Sequence, residues 1–389
     1  EMTTGLMAAK LTGGKVAQGD VIAFIDCHCS PQEGWWKEIL QQVTLNPRRM
    51  VVPAITDLDL DTFDEKEQSA VNAKCYLTFD ADFKWFDDES DFIPTISGGL
   101  VAMGREWFNL TGGFDEEMHG WGGENLDQSL RAWLCGGEIS RAKSSRVAHM
   151  WRTGDSRTAT HYSVKARGTN NRGRVVAAWF DAFIPVYRGG RPKENVDNYD
   201  RVKKALNCKP FSYFVYRFRK IYLEGGIIAR EIFRLRDKAS GLCLLPGAGW
   251  RLAACPSDDK QGRPGELQLG NIDRDTGKCC SGLRIAGTND CWDAWNDNGP
   301  GRYSCDVSGS NANQYFRLRA DGRIHKGIGE CVLPDAETKK LIKKPCSDLQ
   351  DSEGIFEKIA VRQSQEYQIY LQELELHRWA EKFPDLPDN

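Results

Sequence analysis

Asp26-Cys27-His28 follows directly on Val21-Ile22-Ala23-Phe24-Ile25, a β-branched and aromatic run that opens after Gly19-Asp20. Residues i and i+2 of an extended chain point the same way, so a carboxylate and an imidazole can leave the end of this run together. One oxygen and one nitrogen donor suit a divalent ion such as Mn²⁺, which lies between hard magnesium and softer zinc. The triplet alone is equally open to a simpler reading, an Asp capping a helix beside a hydrogen-bonded His. Two later segments add polar groups. Pro94-Thr95-Ile96-Ser97-Gly98-Gly99 ends a charged loop with two glycines that allow a ligand close to the backbone. Trp121-Gly122-Gly123-Glu124-Asn125 sets an aromatic face, a carboxylate and an amide side by side. A sugar uses such groups, pairing its hydroxyls with donors and acceptors and stacking its C–H face on a ring. Each segment by itself also fits an ordinary turn, with Glu124 favoured at a helix start by the dipole.

The elements that must position these residues follow from periodicity. Residues 21–25 read as a buried strand of an α/β sheet, which puts Asp26 at its C-terminal end, where open α/β sheets bind ligands. After Pro31 and Gly34 a helical stretch runs from Trp35 to Val43, and Met50-Val51-Val52-Pro53-Ala54-Ile55 reads as the neighbouring strand, paired in parallel. A helix is expected from Leu126 to Trp133. The chain has 389 residues, more than one core usually organises, so two domains are expected. Residues 1–190 carry the α/β pattern, and 191–232, opening polar and rich in Gly, Pro and Asn, read as the connection. Residues 233–360 show short runs broken by Gly, Asp and Asn, as an all-β module requires, and 361–389 form a helical tail.

Composition excludes some classes. Hydrophobic residues at 40%, charged residues at 28% and a net charge of −3 describe a globular chain without a nucleic-acid patch. No apolar run approaches the roughly 20 residues of a membrane helix, and the first residues lack the form of a signal peptide, so a membrane anchor would lie outside this chain. Of thirteen cysteines, six fall in three spaced pairs: Cys243 with Cys255, Cys291 with Cys305 and Cys331 with Cys346. Each would close a short loop worth about 2–3 kcal/mol, a pattern of oxidising compartments. Paired zinc ligands would stand closer in sequence and would be joined by histidines. The repeating unit is an apolar residue, a turn, a cysteine-led strand and a second cysteine 12 to 15 residues later. Three copies that cannot bury their apolar faces alone suggest a β-trefoil around one core.

In order and spacing, Asp26-Cys27-His28-Cys29, Pro94 to Gly99, Trp121 to Asn125, Cys135-Gly136-Gly137 and Arg146 to Arg152 resemble the polypeptide N-acetylgalactosaminyltransferases. The likeness continues through Arg174 to Asp181 and Cys208 to Phe211, and into a ricin-type lectin module. The resemblance implies a GT-A-type domain that uses UDP-N-acetylgalactosamine (UDP-GalNAc) and Mn²⁺ to glycosylate Ser or Thr hydroxyls of peptides or glycopeptides with retention. Carried over position by position, Asp26, His28 and His149 would hold the metal, and Arg152 would meet the diphosphate. Ser97, Gly98, Gly99, Glu124 and Asn125 would surround the sugar and Trp121 would wall its pocket. Thr153 to Tyr162, with His161 and Tyr162, would form a loop that closes over the nucleotide. Cys135 would pair with Cys208.

In the second module, Cys291-Trp292-Asp293 and Asn311 to Phe316 resemble the signatures of one sugar-binding repeat. Asp293, Asn313 and Tyr303 would bind O-linked GalNAc there. The first and third repeats have Leu245 and Leu333 two residues after the cysteine in place of an acid and would serve the core. The resemblance further implies the Golgi lumen and a type II membrane anchor. A uridine-binding portion that precedes the metal motif in the family is not found in this sequence, and Ser144 stands where the family often has a cysteine. This gap keeps a rival open: a catalytically inactive O-glycan-binding lectin on a transferase scaffold.

Overall fold

A computed structural model describes residues 5–66, 73–151, 170–247, 249–257, 264–272 and 279–386, and only the backbone of Cys279 and Ser281. The chain forms two compact units. One holds residues up to Arg217 together with Glu381–Pro384, and the other Phe218–Ala380 with the last residues.

The first unit is built on strands β1 (Val21–Phe24), β2 (Cys29–Pro31) and β3 (Arg49–Asp57), a separate hairpin of β4 (Ala73–Leu77) and β5 (Phe83–Asp87), and then β6 (Val101–Gly104) and β7 (Glu138–His149). The main sheet runs β1-β6-β3-β7-β2. Its parallel pair is β3 with β7, whereas β6 is antiparallel to both β1 and β3. The expected direct pairing of the first two strands is therefore corrected. They run the same way, but β6 lies between them, with Ala102 opposite both Ala23 and Val51. All four residues of β6 are buried, so this short apolar strand can take a central place that a strand–helix–strand reading does not anticipate.

Helix α1 spans Leu6–Val16, and α2 spans Trp36–Leu45, burying Ile39 and Val43 on Val51, Ala102 and Ala142. Those two residues are four apart and share one helix face. Helix α3 spans Arg105–Thr111 and α4 Glu124–Leu134, every residue of which is buried. Helix α4 begins two residues before the expected Leu126, because Gly123 at φ 93° turns the chain into it, and so Glu124 and Asn125 belong to its first turn.

Helix α5 (Asn171–Trp179) is followed by α6 (Asp197–Leu206) and α7 (Phe211–Arg217). Residues 191–232, expected as a connection, thus contain two packed helices, with all of α7 buried, and the boundary between the units falls within them. The polar side chains at the start of this stretch are mostly exposed, but Tyr199 of α6 is buried against a polar pair from other segments. Arg174 meets Asp115 at 2.8 Å, and the Tyr199 hydroxyl donates to the same carboxylate at 2.9 Å. Cys135, just past α4, is bonded to Cys208, just past α6.

The second unit is all-β until its C-terminal helices. Strands β8 (Ile232–Asp237), β9 (Cys243–Gly247), β10 (Gly249–Ala253), β11 (Leu267–Ile272), β12 (Cys279–Ile285), β13 (Asp290–Asn296) and β14 (Gly299–Ser304) form one sheet, closed by a last strand, Phe356–Arg362, on β8. Strands β15 (Phe316–Leu318), β16 (Ile324–Lys326), β17 (Glu330–Pro334) and β18 (Leu341–Pro345) form another. The same hairpin recurs as β9–β10, β13–β14 and β17–β18, and Cys243–Cys255, Cys291–Cys305 and Cys331–Cys346 staple the three copies. The residue after each leading cysteine, Leu244, Trp292 or Val332, is fully buried in one shared core with Phe233, Phe316 and Phe356. Helix α8 spans Gln365–His377, where Ser364 caps the first turn by accepting from the Tyr367 amide. The expected helical tail therefore starts later than 361, since Val361 and Arg362 still belong to the closing strand.

Candidate functional site

Strands β1, β3 and β7 all deliver their C-terminal ends to one edge of the sheet. Asp26 lies two residues past β1, and His149 is the last residue of β7. Pairing of β2 with β7 sets Cys29 opposite His149, and the Met150 amide donates to the His28 carbonyl at 3.1 Å. These backbone bonds bring three side chains distant in sequence to one point. His149 Nε2 lies 3.5 Å and His28 Nε2 3.9 Å from Asp26 Oδ2, and one ligand atom from each of the three lies within 4.8 Å of the others. Hydrogen bonding from His149, reinforced by Lys10 and His28, holds the Asp26 carboxyl below the usual carboxylate range against the opposing effect of burial. Nδ1 of His149 is buried without a hydrogen-bond partner among the described residues. The donor set, two imidazoles and a carboxylate with the carboxylate kept ionised, fits Mn²⁺.

The glycines next to this point have steric reasons to be glycine. A Cβ on Gly99 would stand 2.4 Å from Asp26 Oδ2, and one on Gly98, at φ 114°, would press on Glu124 Oε1 at 3.2 Å. A Cβ on Gly123 would meet Asn171 at 2.9 Å. The loop holding Ser97 and Gly98 is tied to α4: the Ile96 amide donates to Ser129 Oγ at 3.0 Å, and Asn125 Nδ2 donates to the Ile96 carbonyl at 3.1 Å.

Glu124 is 5% exposed, and burial raises its carboxyl above the ordinary range although Lys10 pulls it back. Its Oε2 has no hydrogen-bond partner among the described residues. A buried carboxylate oxygen without a donor is costly unless a ligand supplies one. Trp121, 66% exposed, stands at the rim. Asp26, His28, His149, Ser97, Glu124 and Trp121 all line one cavity of about 1170 Å³. That exceeds the ~300–1,000 Å³ of an ordinary small-molecule pocket.

Two residues of this site are not among the sequence expectations. Lys10, on α1 and 8% exposed, donates to the Gly98 carbonyl at 2.6 Å. Burial lowers its pKa, opposed by the charges of Glu124 and Asp26. Asn171 holds the rim loop through the carbonyls of His119 at 2.9 Å and Gly122 at 2.8 Å. A lysine on the apolar face of α1, among Met7, Leu11 and Gly14, is the signal that could have revealed the first. Arg152, His161 and Tyr162 lie outside the described residues.

In the second unit, Asp293 and Tyr303 occupy one face of the β13–β14 hairpin, since Asp293 pairs with Gly301, two residues from Tyr303. Tyr303 is 66% exposed. Asp293 Oδ2 accepts from Gln314 at 2.8 Å and from Asn311 at 3.3 Å. Asn311 also caps the turn that carries exposed Asn313, its Oδ1 accepting from the Asn313 amide at 2.9 Å. The structure thus gathers Asp293, Tyr303 and Asn313 and adds Asn311 and Gln314 as their supports. In the third repeat, Leu333 stands at the position of Asp293 and is 4% exposed. His325, Cys331 and Cys346 also converge, but the two sulfurs form a disulfide and offer no thiolate to a metal.

Residues 2–108 match a family model described as glycosyl transferase family 2, and residues 88–154 match one described as the N-terminal domain of galactosyltransferase. The probable N-acetylgalactosaminyltransferase 9 of Caenorhabditis elegans is 35% identical over 56% of this chain and 40% of its own length. The human polypeptide N-acetylgalactosaminyltransferase 10 is 27% identical over 88% of this chain and 60% of its own. The chain thus spans between two fifths and three fifths of these two relatives. A crystal structure of GalNAc-T7 with UDP, GalNAc and Mn²⁺ superposes with a TM-score of 0.52 at 18% identity, covering 93% of this chain and 69% of that one. The fold is of the GT-A glycosyltransferase type, and the relatives matched in sequence are named N-acetylgalactosaminyltransferases.

Proposed function

We propose that this protein transfers N-acetylgalactosamine from UDP-GalNAc to Ser or Thr hydroxyls of polypeptides, with retention and with Mn²⁺, and that its second unit, a ricin-type trefoil, binds O-linked GalNAc on glycopeptide acceptors. The observation that carries this reading is the convergence of Asp26, His28 and His149 beside a buried, donor-seeking Glu124 in one cavity. A scaffold has no physical need to gather such groups.

Asp26, His28 and His149 would hold the cation, which when bound would supply positive charge to the diphosphate leaving group. Arg152 is assigned to the same diphosphate. Glu124 and Asn125, fixed on the first turn of α4, orient the sugar: the carboxylate accepts from a sugar hydroxyl, and Trp121 shields the ring at the rim. Lys10 holds the Gly98 carbonyl and keeps a positive charge beside Glu124. The acceptor hydroxyl can pass its proton to a diphosphate oxygen on the same face, so no protein nucleophile is required. His161 and Tyr162 are assigned to the segment that excludes water. In the second unit Asp293 and Asn313 bind sugar hydroxyls and Tyr303 stacks on the C–H face. Cys135–Cys208 and the three disulfides of the second unit's repeats suit the secretory lumen, and we assign the protein to the Golgi with a type II anchor. Among the described residues no helix is long and apolar enough to cross a membrane.

The test is transfer of radiolabelled GalNAc from UDP-GalNAc to a Thr-rich peptide by the full natural protein, with Mn²⁺ and with chelator. Metal-dependent labelling is expected. Retained glycan binding with no transfer under either condition would leave a lectin on a transferase scaffold instead.

A further inference from the structure

Asn109-Leu110-Thr111 is the single place in the sequence where an asparagine precedes Ser or Thr by two positions without an intervening proline. It forms the last turn of α3, which Gly112 at φ 82° and Gly113 at φ 69° bring to an end. The helix faces are sharply divided. Trp107 at 2% and Phe108 at 1% exposure point into the core, while Asn109 is exposed and Leu110 is 46% exposed. The Asn109 side-chain amide makes no hydrogen bond among the described residues, and the residue does not line the cavity of the candidate site.

We propose that Asn109 is N-glycosylated. The disulfides place the chain in an oxidising lumen, where proteins acquire asparagine-linked glycans. The reaction takes a lipid-diphosphate-linked oligosaccharide as donor. The amide nitrogen of Asn109 bonds to the anomeric carbon and loses a proton. The bond from that carbon to the diphosphate oxygen breaks, and the lipid diphosphate leaves with the electron pair.

The structure also orders this event relative to folding. The modifying enzyme must reach the Thr hydroxyl as well as the Asn amide. In the folded chain Thr111 is 2% exposed, and its Oγ1 donates to the carbonyls of Trp107 at 2.9 Å and Phe108 at 3.2 Å. Transfer therefore precedes closure of α3 on the core. Afterwards the exposed Asn109 lets the glycan leave the surface without strain, and its first sugars lie over Leu110, an apolar side chain that the protein itself leaves half uncovered. This inference rests on the disulfides and on α3, not on the transferase reading.

The test is intact-mass measurement of the protein made in insect cells, before and after digestion with peptide N-glycosidase. One glycan is expected, lost on digestion, absent from Asn109→Gln and Thr111→Val and kept in Thr111→Ser. Variants retained inside the cell are measured as well, because a modification that precedes folding does not depend on secretion. Wild-type material at the bare polypeptide mass overturns the proposal. A second arm takes unglycosylated protein from an oxidising bacterial host and incubates it with microsomal membranes. The native chain should stay unmodified and the reduced, unfolded chain should gain the glycan. Modification of the native chain overturns the ordering.

Discussion

The cavity of the first unit and the Asp293–Tyr303 face of the second are both proposed sites for N-acetylgalactosamine, yet they are built by opposite means. In the first, Lys10 and Glu124 are taken out of water, at 8% and 5% exposure, and a carboxylate oxygen has no donor among the described residues. Burial disfavours charge on both groups, lowering the lysine and raising the glutamate, and each opposes the effect on the other. In the second, Asp293 is already bonded by Gln314 and Asn311 from the chain itself, and Tyr303 stands 66% in solvent. The difference separates chemistry from capture. A buried, incompletely satisfied site gains from a ligand that brings charge and donors, whereas a surface site that is already hydrogen-bonded can stand empty at little cost and binds with modest strength.

The comparison breaks most visibly if the two sites are not independent. His149→Ala, or Asp26→Ala, should lower Mn²⁺-dependent transfer by more than about 100-fold, since even groups that only support metal ligands cost about 10–100-fold, and should leave binding to a GalNAc-bearing peptide unchanged. Steady-state transfer and calorimetric binding on the same preparations check this, and parallel losses in both would join what is here kept apart. Glu124→Gln comes next, with a loss of transfer of roughly 100-fold, the scale for removing one well-placed polar group in a dry site. Lys10→Met sharpens the point through pH. Burial holds Glu124 above the usual carboxylate range and Lys10 pulls it down, so without the lysine the glutamate rises further. If ionised Glu124 is the working form, the acid limb of the pH–rate profile moves to higher pH in Lys10→Met. A limb that stays in place or moves down removes Glu124 from that role.

What could be read in the sequence divides along the same line. Asp26-Cys27-His28 at the end of an apolar run, the paired glycines and the spaced cysteines are local signals, and the structure gathers each where the local chemistry implies. Contacts made across the chain were legible only where the family resemblance supplied them, as for Cys135 with Cys208. Lys10 enters the cavity because α1 turns one face toward the Gly98 carbonyl, 88 residues away, and nothing in Leu6–Val16 announces that partner. The central place of β6 depends on two pairings made by four residues, too few to carry a pattern. Residues 191–232 read as a connection because the segment opens polar and rich in Gly, Pro and Asn. The buried partners of that surface, Asp115 and Arg174, lie in other segments, so local composition cannot show that α6 is packed. On the β13–β14 hairpin, Asp293 and Tyr303 share a face by register, while Asn311, which the likeness to a repeat does not single out, joins the cap of one turn to the Asp293 carboxylate.

Smaller effects test the second site alone. Asp293→Ala removes a charged acceptor and should weaken glycopeptide binding by about 10–100-fold, the range for hydrogen bonds to a charged group, with transfer to bare peptide unchanged. The smallest expected effect is the most discriminating, because it asks whether neighbouring repeats cooperate. Lys326 ends β16, in the third repeat, yet its Nζ donates to the Asn313 carbonyl at 2.7 Å and lies 4.5 Å from the centre of the Phe316 ring. It thereby holds the turn whose Gln314 in turn holds Asp293. Lys326→Met keeps the alkyl chain on Phe316 and removes only the ammonium, so glycopeptide affinity should fall by roughly 2–10-fold, the worth of one ordinary hydrogen bond, while the melting temperature changes little. Lys326→Arg, which restores the donor, should recover part of that loss. If Lys326→Met binds like the parent while Asp293→Ala does not, the sugar face is the property of one repeat, and the third contributes only its share of the core.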